Sequence, residues 1–350
     1  MGWKVGVLGM IHDHVWNHLP ELAARDDVTL SVADPNPPLR EQARERAGVE
    51  RLYADYADLL EQERPDVVLI YVDNAGTAEL VELAASHGTP MMVEKPMADT
   101  LANAERMRVA ANRAGVPLMV NWPTAWSPAI RHALDLAGGG AVGEIFRVDH
   151  RGGHGGPKEY GCSPYFYEWL YDRERNGAGA YIDYCGYGAS MARLLLGMPS
   201  RVQATIGRLA KDYVDVDDNA VLVLRYPRAM AILEATWTAA GPVPDGGPTI
   251  MGSGGSLVVQ QRKARREGEA GGRGVVLQVT PDEPDGRPIE APDLPEGERS
   301  ATEYLLTCLA ADRPIEGLVS LAVGRDTQEI LEAGLRAARL GREMSLPLDF

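Results

Sequence analysis

Residues 3–120 alternate short apolar runs with polar segments of helical pattern, and no other feature constrains the fold as strongly. Trp3–Gly9 (WKVGVLG), Val28–Asp34 (VTLSVAD), Asp66–Val72 (DVVLIYV), Pro90–Val93 and Val116–Val120 read as strands. Val15–Ala24, Pro38–Ala47, Asp55–Gln62, Thr77–Ser86 and Thr100–Ala114 read as helices. The unbroken apolar run of DVVLIYV suits a strand covered on both faces. Such alternation predicts βαβ units, a parallel sheet and right-handed crossovers.

The turn after the first strand is where such a sheet would hold a dinucleotide. A full fingerprint is G-x-G-x-x-G, opening a helix whose N-terminus receives the pyrophosphate. Gly9 is present, but Ile11 and His14 stand at the second and third glycine positions. The attraction comes from backbone N–H groups rather than from glycines as such. Gly9, Met10, Ile11 and His12 are therefore the expected cofactor contacts, in altered geometry. Asp34 ends the second strand about 20 residues on, where a carboxylate accepts from ribose hydroxyls and repels a 2′-phosphate. NAD is expected over NADP; the other role open to Asp34 is a turn residue before Pro35. His12, Asp13, His14 and His18 invite a metal reading. No nearby acidic or Cys ligand completes a site, so no metal is expected there.

Thr89–Asp99 (TPMMVEKPMAD) delivers two opposite charges, Glu94 and Lys95, at the end of an apolar strand. Ligands of open α/β sheets bind just outside that edge. Desolvation there is expected to lower the Lys95 ammonium from its usual pKa toward an acid/base range. Pro96 restrains Lys95 to an extended backbone. The competing reading is a strand-to-helix turn with a solvated Glu-Lys pair.

Trp122–Pro128 (WPTAWSP) carries two prolines and a change of polarity and reads as a link, giving domains 1–122 and 123–350. Ala129–Leu136 reads as a helix and Glu144–Arg151 as a strand. His150–Glu159 (HRGGHGGPKE) reads as a loop, and Tyr160–Tyr171 is dense in aromatics that suit either a sugar ring or an oligomer contact. In Asn176–Gly197, glycines lead into a helix with Asp183 and Tyr187 four apart on one face. A phenol beside a carboxylate, both near a Lys, can move protons; a polar stripe satisfied in the core is the alternative. Arg201–Arg208, Ala220–Tyr226, Ala229–Thr238, Thr249–Gln260 and Gly274–Thr280 read as strands of a mostly antiparallel sheet. Gln261–Gly274 and Pro281–Arg299 read as loops at its edge, and Thr302–Ala311 and Ala322–Leu340 as closing helices.

The formal net charge of -15 argues against nucleic acid or an anionic membrane as partner. Cys162, Cys185 and Cys308 are odd in number and show neither a disulfide framework nor zinc spacing, which fits a reducing cytoplasm. No apolar run approaches the ~18 residues of a membrane span, and no secretion signal is visible.

These residues resemble the glucose-fructose oxidoreductase / inositol dehydrogenase / MocA-type oxidoreductases across nearly the whole chain. The resemblance rests on VGVLG, Asp34, Asn74, Glu94-Lys95-Pro96, the linker ending in Pro128, GAGAYIDYCGY and Leu346-Pro347. It implies an α/β protein: an N-terminal Rossmann domain and a C-terminal α/β domain with a large, mostly antiparallel open sheet. That sheet would join subunits into a homodimer or homotetramer. It implies NAD(P) and a secondary alcohol or ketone of a sugar, inositol or related polyol. Lys95 matches the family's catalytic Lys, Asn74 a cofactor contact, and Glu94 lies on the nicotinamide side. The pattern G-G-G-x-x-x-D-x-G-x-H falls on Gly177–Tyr187, so Asp183 matches the Asp. Tyr187 stands where many members have His, although glucose-fructose oxidoreductase and dihydrodiol dehydrogenase types use Tyr there. Cys185, Ser190, Asp73 and Thr77 also depart from the pattern.

The expected catalytic set is Lys95, Tyr187 and Asp183, with Trp122, His154, Lys158 and Tyr165 joining them around substrate. Two other readings remain open at this level. One is a glycoside-cleaving or eliminating enzyme with tightly bound NAD, using His150, His154 and Lys158. The other is a ligand-sensing regulator on the same fold.

Overall fold

The computed structural model describes residues 2–241, 243, 246–260 and 274–349. Its first layer forms in chain order from β1 (Trp3–Leu8), α1 (Val15–Ala23), β2 (Val28–Ala33), α2 (Pro37–Ala47), β3 (Arg51–Tyr53) and α3 (Tyr56–Glu63). It continues with β4 (Val67–Ile70), α4 (Thr77–Ser86), β5 (Met91–Glu94), α5 (Leu101–Ala114) and β6 (Leu118–Asn121). The six strands pair in parallel in the order β3-β2-β1-β4-β5-β6. Strand order reverses beside β1, the switch point at which such sheets open a ligand crevice. Every residue of β4, β5 and β6 is buried, as helices on both faces require. Asp55 and Thr100 cap α3 and α5 through their side chains, and left-handed Gly48 and Gly115 end α2 and α5.

The second half adds α6 (Pro128–Gly138), β7 (Ile145–Gly153), α7 (Pro164–Leu170) and α8 (Arg173–Asn176). A π-helical turn, Tyr181–Cys185, then runs into α9 (Gly186–Leu196). Seven strands follow: β8 (Arg201–Gly207), β9 (Asn219–Arg225), β10 (Met230–Thr236), β11 (Thr249–Gly252), β12 (Gly255–Gln260), β13 (Val275–Thr280) and β14 (Glu283–Glu290). α10 (Ala301–Ala310), α11 (Leu321–Leu340) and β15 (Met344–Ser345) close the chain. The nine-stranded sheet has the order β14-β13-β12-β11-β7-β10-β9-β8-β15. It is antiparallel except where β7 meets β10. Inward residues of β9 and β10, among them Leu222, Leu224, Ala231 and Leu233, pack with Tyr181, Ile182 and Cys185 of the π turn. α11 packs on β8 and α9 and also on α5 and β6, so it ties the two sheets together.

Three expectations are corrected. Pro281–Arg299 is not all loop, because Glu283–Glu290 forms the edge strand β14. Its two prolines and exposed residues hide it from pattern reading, yet an edge strand tolerates proline. Thr249–Gln260 is a hairpin of two strands, with Gly252 paired to Gly255. β7 runs on to Gly153, into the stretch read as loop. The loop expected over 261–273 lies outside the described residues. Among the described residues no helix is long and apolar enough to cross a membrane.

Candidate active site

β5 ends at Glu94, so Lys95 leaves the parallel sheet at its carboxyl edge; it is 7% exposed. Its ammonium is ion-paired to the carboxylate of Asp183 and lies 4.7 Å from the centroid of the Tyr187 ring. Asp183 sits in the π turn and Tyr187 in the first turn of α9. π turns interrupt helices chiefly where a side chain must be re-aimed, and they recur at functional sites. The glycines before this turn are sterically required. A Cβ on Gly177, whose φ is +90°, would lie 2.6 Å from the Asp99 carbonyl oxygen, and one on Gly179 would lie 1.9 Å from that of Asp217. The Asp217 carboxylate accepts from the Gly179 and Tyr181 amides, each at 2.7 Å.

Trp237 Nε1 donates to Asp183 Oδ2 at 3.1 Å, so both carboxylate oxygens are held. No sequence signal marked Trp237 beyond its place after a strand. Burial would lower the Lys95 pKa, but Asp183, with Tyr187, outweighs it and the ammonium is held above its ordinary value. The expectation of a depressed Lys95 is therefore corrected: the opposite charge beats desolvation. Burial raises Asp183, and Lys95 reverses that, so its carboxyl falls below the usual range. Tyr187 is pushed up to about 12, burial outweighing the lowering effect of Lys95. At neutral pH the site therefore holds a charged ion pair beside a neutral phenol.

The other expected residues divide. His154 joins the group: its ring stacks on Tyr160 at 4.9 Å and meets Tyr184 edge-on at 5.4 Å, and its charge helps lower Asp183. Trp122 is fully buried and packs edge-on against Tyr187 at 5.5 Å. Lys158 is exposed, its ammonium 5.9 Å from the rings of Tyr167 and Tyr213, and it is not brought to Lys95. Tyr165 is half-buried against the apolar core of the first sheet. Asn74 is buried and donates from Nδ2 to Asn176 Oδ1 at 2.7 Å, joining the turn between β4 and α4 to the segment before the π turn.

The dinucleotide turn keeps its key requirement. Gly9 has φ +81°, and a Cβ there would lie 2.4 Å from Val72 Cγ1. That close approach and the start of α1 beyond it fit a dinucleotide. Asp34 follows the end of β2 beside this turn. It is 0% exposed; Oδ2 accepts from Met10 N at 2.6 Å, and Oδ1 accepts from Asn36 N and Nδ2 at 2.7 and 2.8 Å. These bonds tie the carboxylate to the turn between β1 and α1.

α7 is pinned to the same turn. Ser163, its N-cap, donates from N and Oγ to Asp13 at 2.7 and 2.6 Å, and His12 packs on Phe166 and Trp169. Glu94 crosses to the turn as well: His14 Nδ1 lies 3.0 Å from Glu94 Oε2, and Asn121 Nδ2 donates to Glu94 Oε1 at 2.7 Å. The judgement that no carboxylate completes the histidine cluster is thus corrected, because its acidic member arrives from β5.

Residues 4–122 match the oxidoreductase family with an NAD-binding Rossmann fold, and residues 130–258 match the GFO/IDH/MocA C-terminal domain. The chain belongs to this family. Among curated relatives of the family is a D-apiose dehydrogenase of Paraburkholderia graminis. It is 30% identical over 236 residues, 67% of this chain and 59% of the relative. A levoglucosan dehydrogenase of Pseudarthrobacter phenanthrenivorans is 27% identical over 263 residues, 67% of this chain and 66% of the relative. The matches span about half to two thirds of the length of the curated relatives. Solved structures share the fold over the whole chain. The aldose-aldose oxidoreductase from Caulobacter crescentus complexed with glycerol has a TM-score of 0.81 at 23% identity, covering 99% of this chain and 100% of that one. A levoglucosan dehydrogenase complexed with NADH and levoglucosan gives 0.78 at 24%, again over 99% and 100%.

Proposed function

We propose that the chain is an NAD-dependent oxidoreductase acting between a secondary alcohol and a ketone of a sugar, inositol or related polyol. The observation that carries this reading is the meeting of Lys95 with Asp183 and Tyr187 at the carboxyl edge of the parallel sheet. The Gly9 turn and the start of α1 would hold the dinucleotide, which would supply the hydride chemistry. Tyr187 gives its phenolic proton to the oxygen that becomes a hydroxyl when a ketone is reduced, and takes it back in oxidation. The Lys95 ammonium stabilises the phenolate left behind and the developing alkoxide. Asp183 keeps Lys95 charged and orients a neighbouring hydroxyl. His154 would contact the same hydroxyl. The names of the curated relatives, dehydrogenases of apiose and levoglucosan among them, support a carbohydrate substrate.

The reading includes a boundary between dinucleotide and substrate domains at residue 122 and a homodimer or homotetramer through the nine-stranded sheet. Val221 and Met230 leave apolar surface on the outward side of that sheet. Three unpaired cysteines support a reducing, cytoplasmic setting. A panel of sugars, inositols and glycosides followed by NADH absorbance tests the reaction. Turnover of a polyol that Tyr187→Phe and Lys95→Met each reduce supports it; turnover unchanged in both variants removes it.

A further inference from the structure

His12, His14 and Glu94 place one ligand atom each within 4.8 Å of one another. We propose that they bind one divalent transition-metal ion, at the turn before α1 that the dinucleotide reading above also uses. Two imidazoles and a carboxylate are a donor set suited to zinc and its first-row neighbours, with a fourth position left for water or a ligand oxygen. Ligands about 2.0–2.2 Å from zinc stand about 3.4 Å apart in a tetrahedron. His14 Nδ1 and Glu94 Oε2 are already 3.0 Å apart, so only His12 has to close in.

The surroundings hold these groups as an outer shell holds ligands. Asn121 Nδ2 donates to Glu94 Oε1 at 2.7 Å, and its own Oδ1 accepts from Trp126 Nε1 at 2.8 Å. This directs Oε2 toward His14. The His12 ring packs against those of Phe166 and Trp169, with centroids 4.5 and 5.8 Å away. Loss of an outer-shell hydrogen-bond partner such as Asn121 typically costs about 10–100-fold in metal affinity. His12 and Glu94 are buried, whereas the His14 side chain is 29% exposed and marks the way in.

Charge favours a cation. Glu94 is a buried carboxylate whose hydrogen-bond partners are an amide and an imidazole, while the adjacent Lys95 is committed to Asp183. The start of α1 carries roughly half a positive charge, which opposes a cation but amounts to less than the full charge of the carboxylate. The opposing bond is weak too. His12 Nδ1 accepts from His14 N at 3.3 Å, a long contact that ligation through Nε2 would release as the proton moves to Nδ1.

The test uses the full chain, stripped with a chelator and titrated with zinc by calorimetry. Bound metal is counted after dialysis, and cobalt serves as a spectroscopic probe of tetrahedral coordination. One zinc per chain is expected. His12→Ala and His14→Ala should each weaken binding at least tenfold, and Asn121→Ala about tenfold through the outer shell. Circular dichroism identifies any variant that fails to fold; Glu94→Gln, close in shape, then takes its place. Zinc binding absent from the wild type, or equal in the wild type and the His12→Ala/His14→Ala double variant, overturns the proposal. NADH binding by fluorescence is read separately: its absence beside intact zinc binding would count against the dinucleotide reading and leave the metal site standing.

Discussion

Lys95 and Asp183 are separated by 88 residues and form a buried ion pair between the edge of one sheet and a π turn packed on the other. Removing one partner leaves the other charged in a poorly solvated place. Lys95→Met should therefore cost roughly 3–5 kcal/mol of stability, and adding Asp183→Asn should restore much of it. Urea unfolding of both single variants and the double measures this coupling. Equal, additive losses would mean that the pair is not coupled.

Tyr187 is neutral at ordinary pH, since burial pushes its phenol up to about 12. A proton donor works while protonated, so ketone reduction should hold level through neutral pH and fall only as pH approaches that value. Oxidation needs the phenolate and should rise with pH over the same range. Log kcat/KM against pH in each direction checks both slopes. Tyr187→Phe should lower kcat by about 10²–10⁴-fold and abolish both dependences, with NADH binding retained.

The motifs that carry the site were readable because each is local. Glu94-Lys95-Pro96 and Gly177–Tyr187 announce their residues in a few letters, and the strand-helix alternation gave the parallel sheet. What could not be read depends on pairings across the chain. The charge state of Lys95 is decided by Asp183, and the carboxylate of the histidine cluster comes 80 residues after His14. Asp34 has the right residue type at the right strand end, and its bonds from Met10 and Asn36 are what spacing does not reveal. The burial of Trp122 is set by Tyr187 and Gly186, distant in sequence.

His150 should make the fold sensitive to acid. It is 7% exposed, its Nδ1 has no hydrogen-bond partner among the described residues, and burial lowers its pKa to about 4. In the unfolded chain it takes up a proton near pH 6.5, while the folded protein stays neutral until about pH 4. The unfolded state therefore binds more protons in this window, and stability falls as pH falls through it. At about 1.36 kcal/mol per unit the loss is about 3 kcal/mol. His12 and His18 are also lowered by burial, so the comparison with His150→Phe isolates this one group. The stability advantage of wild type over the variant should shrink by about that amount between pH 7 and pH 4 in urea unfolding; a constant difference would show that His150 does not titrate in this way.

Gly179→Ala should damage the site without touching a reacting group. The added methyl would stand 1.9 Å from the Asp217 carbonyl oxygen and 2.8 Å from Val216 Cγ2, so backbone must move. Relief by shifting the π turn would stretch the 2.7 Å bonds from the Gly179 and Tyr181 amides to the Asp217 carboxylate and carry Asp183 away from Lys95. Overpacking of this kind costs about 1–3 kcal/mol. Turnover should fall more than that loss alone predicts, because in the proposed reaction Asp183 orients substrate, and it holds Lys95 charged. Thermal unfolding and kcat/KM measured on one preparation separate the two effects: a variant destabilised yet fully active at a temperature where it is folded would show that the position of the π turn is not what aligns the acid-base groups.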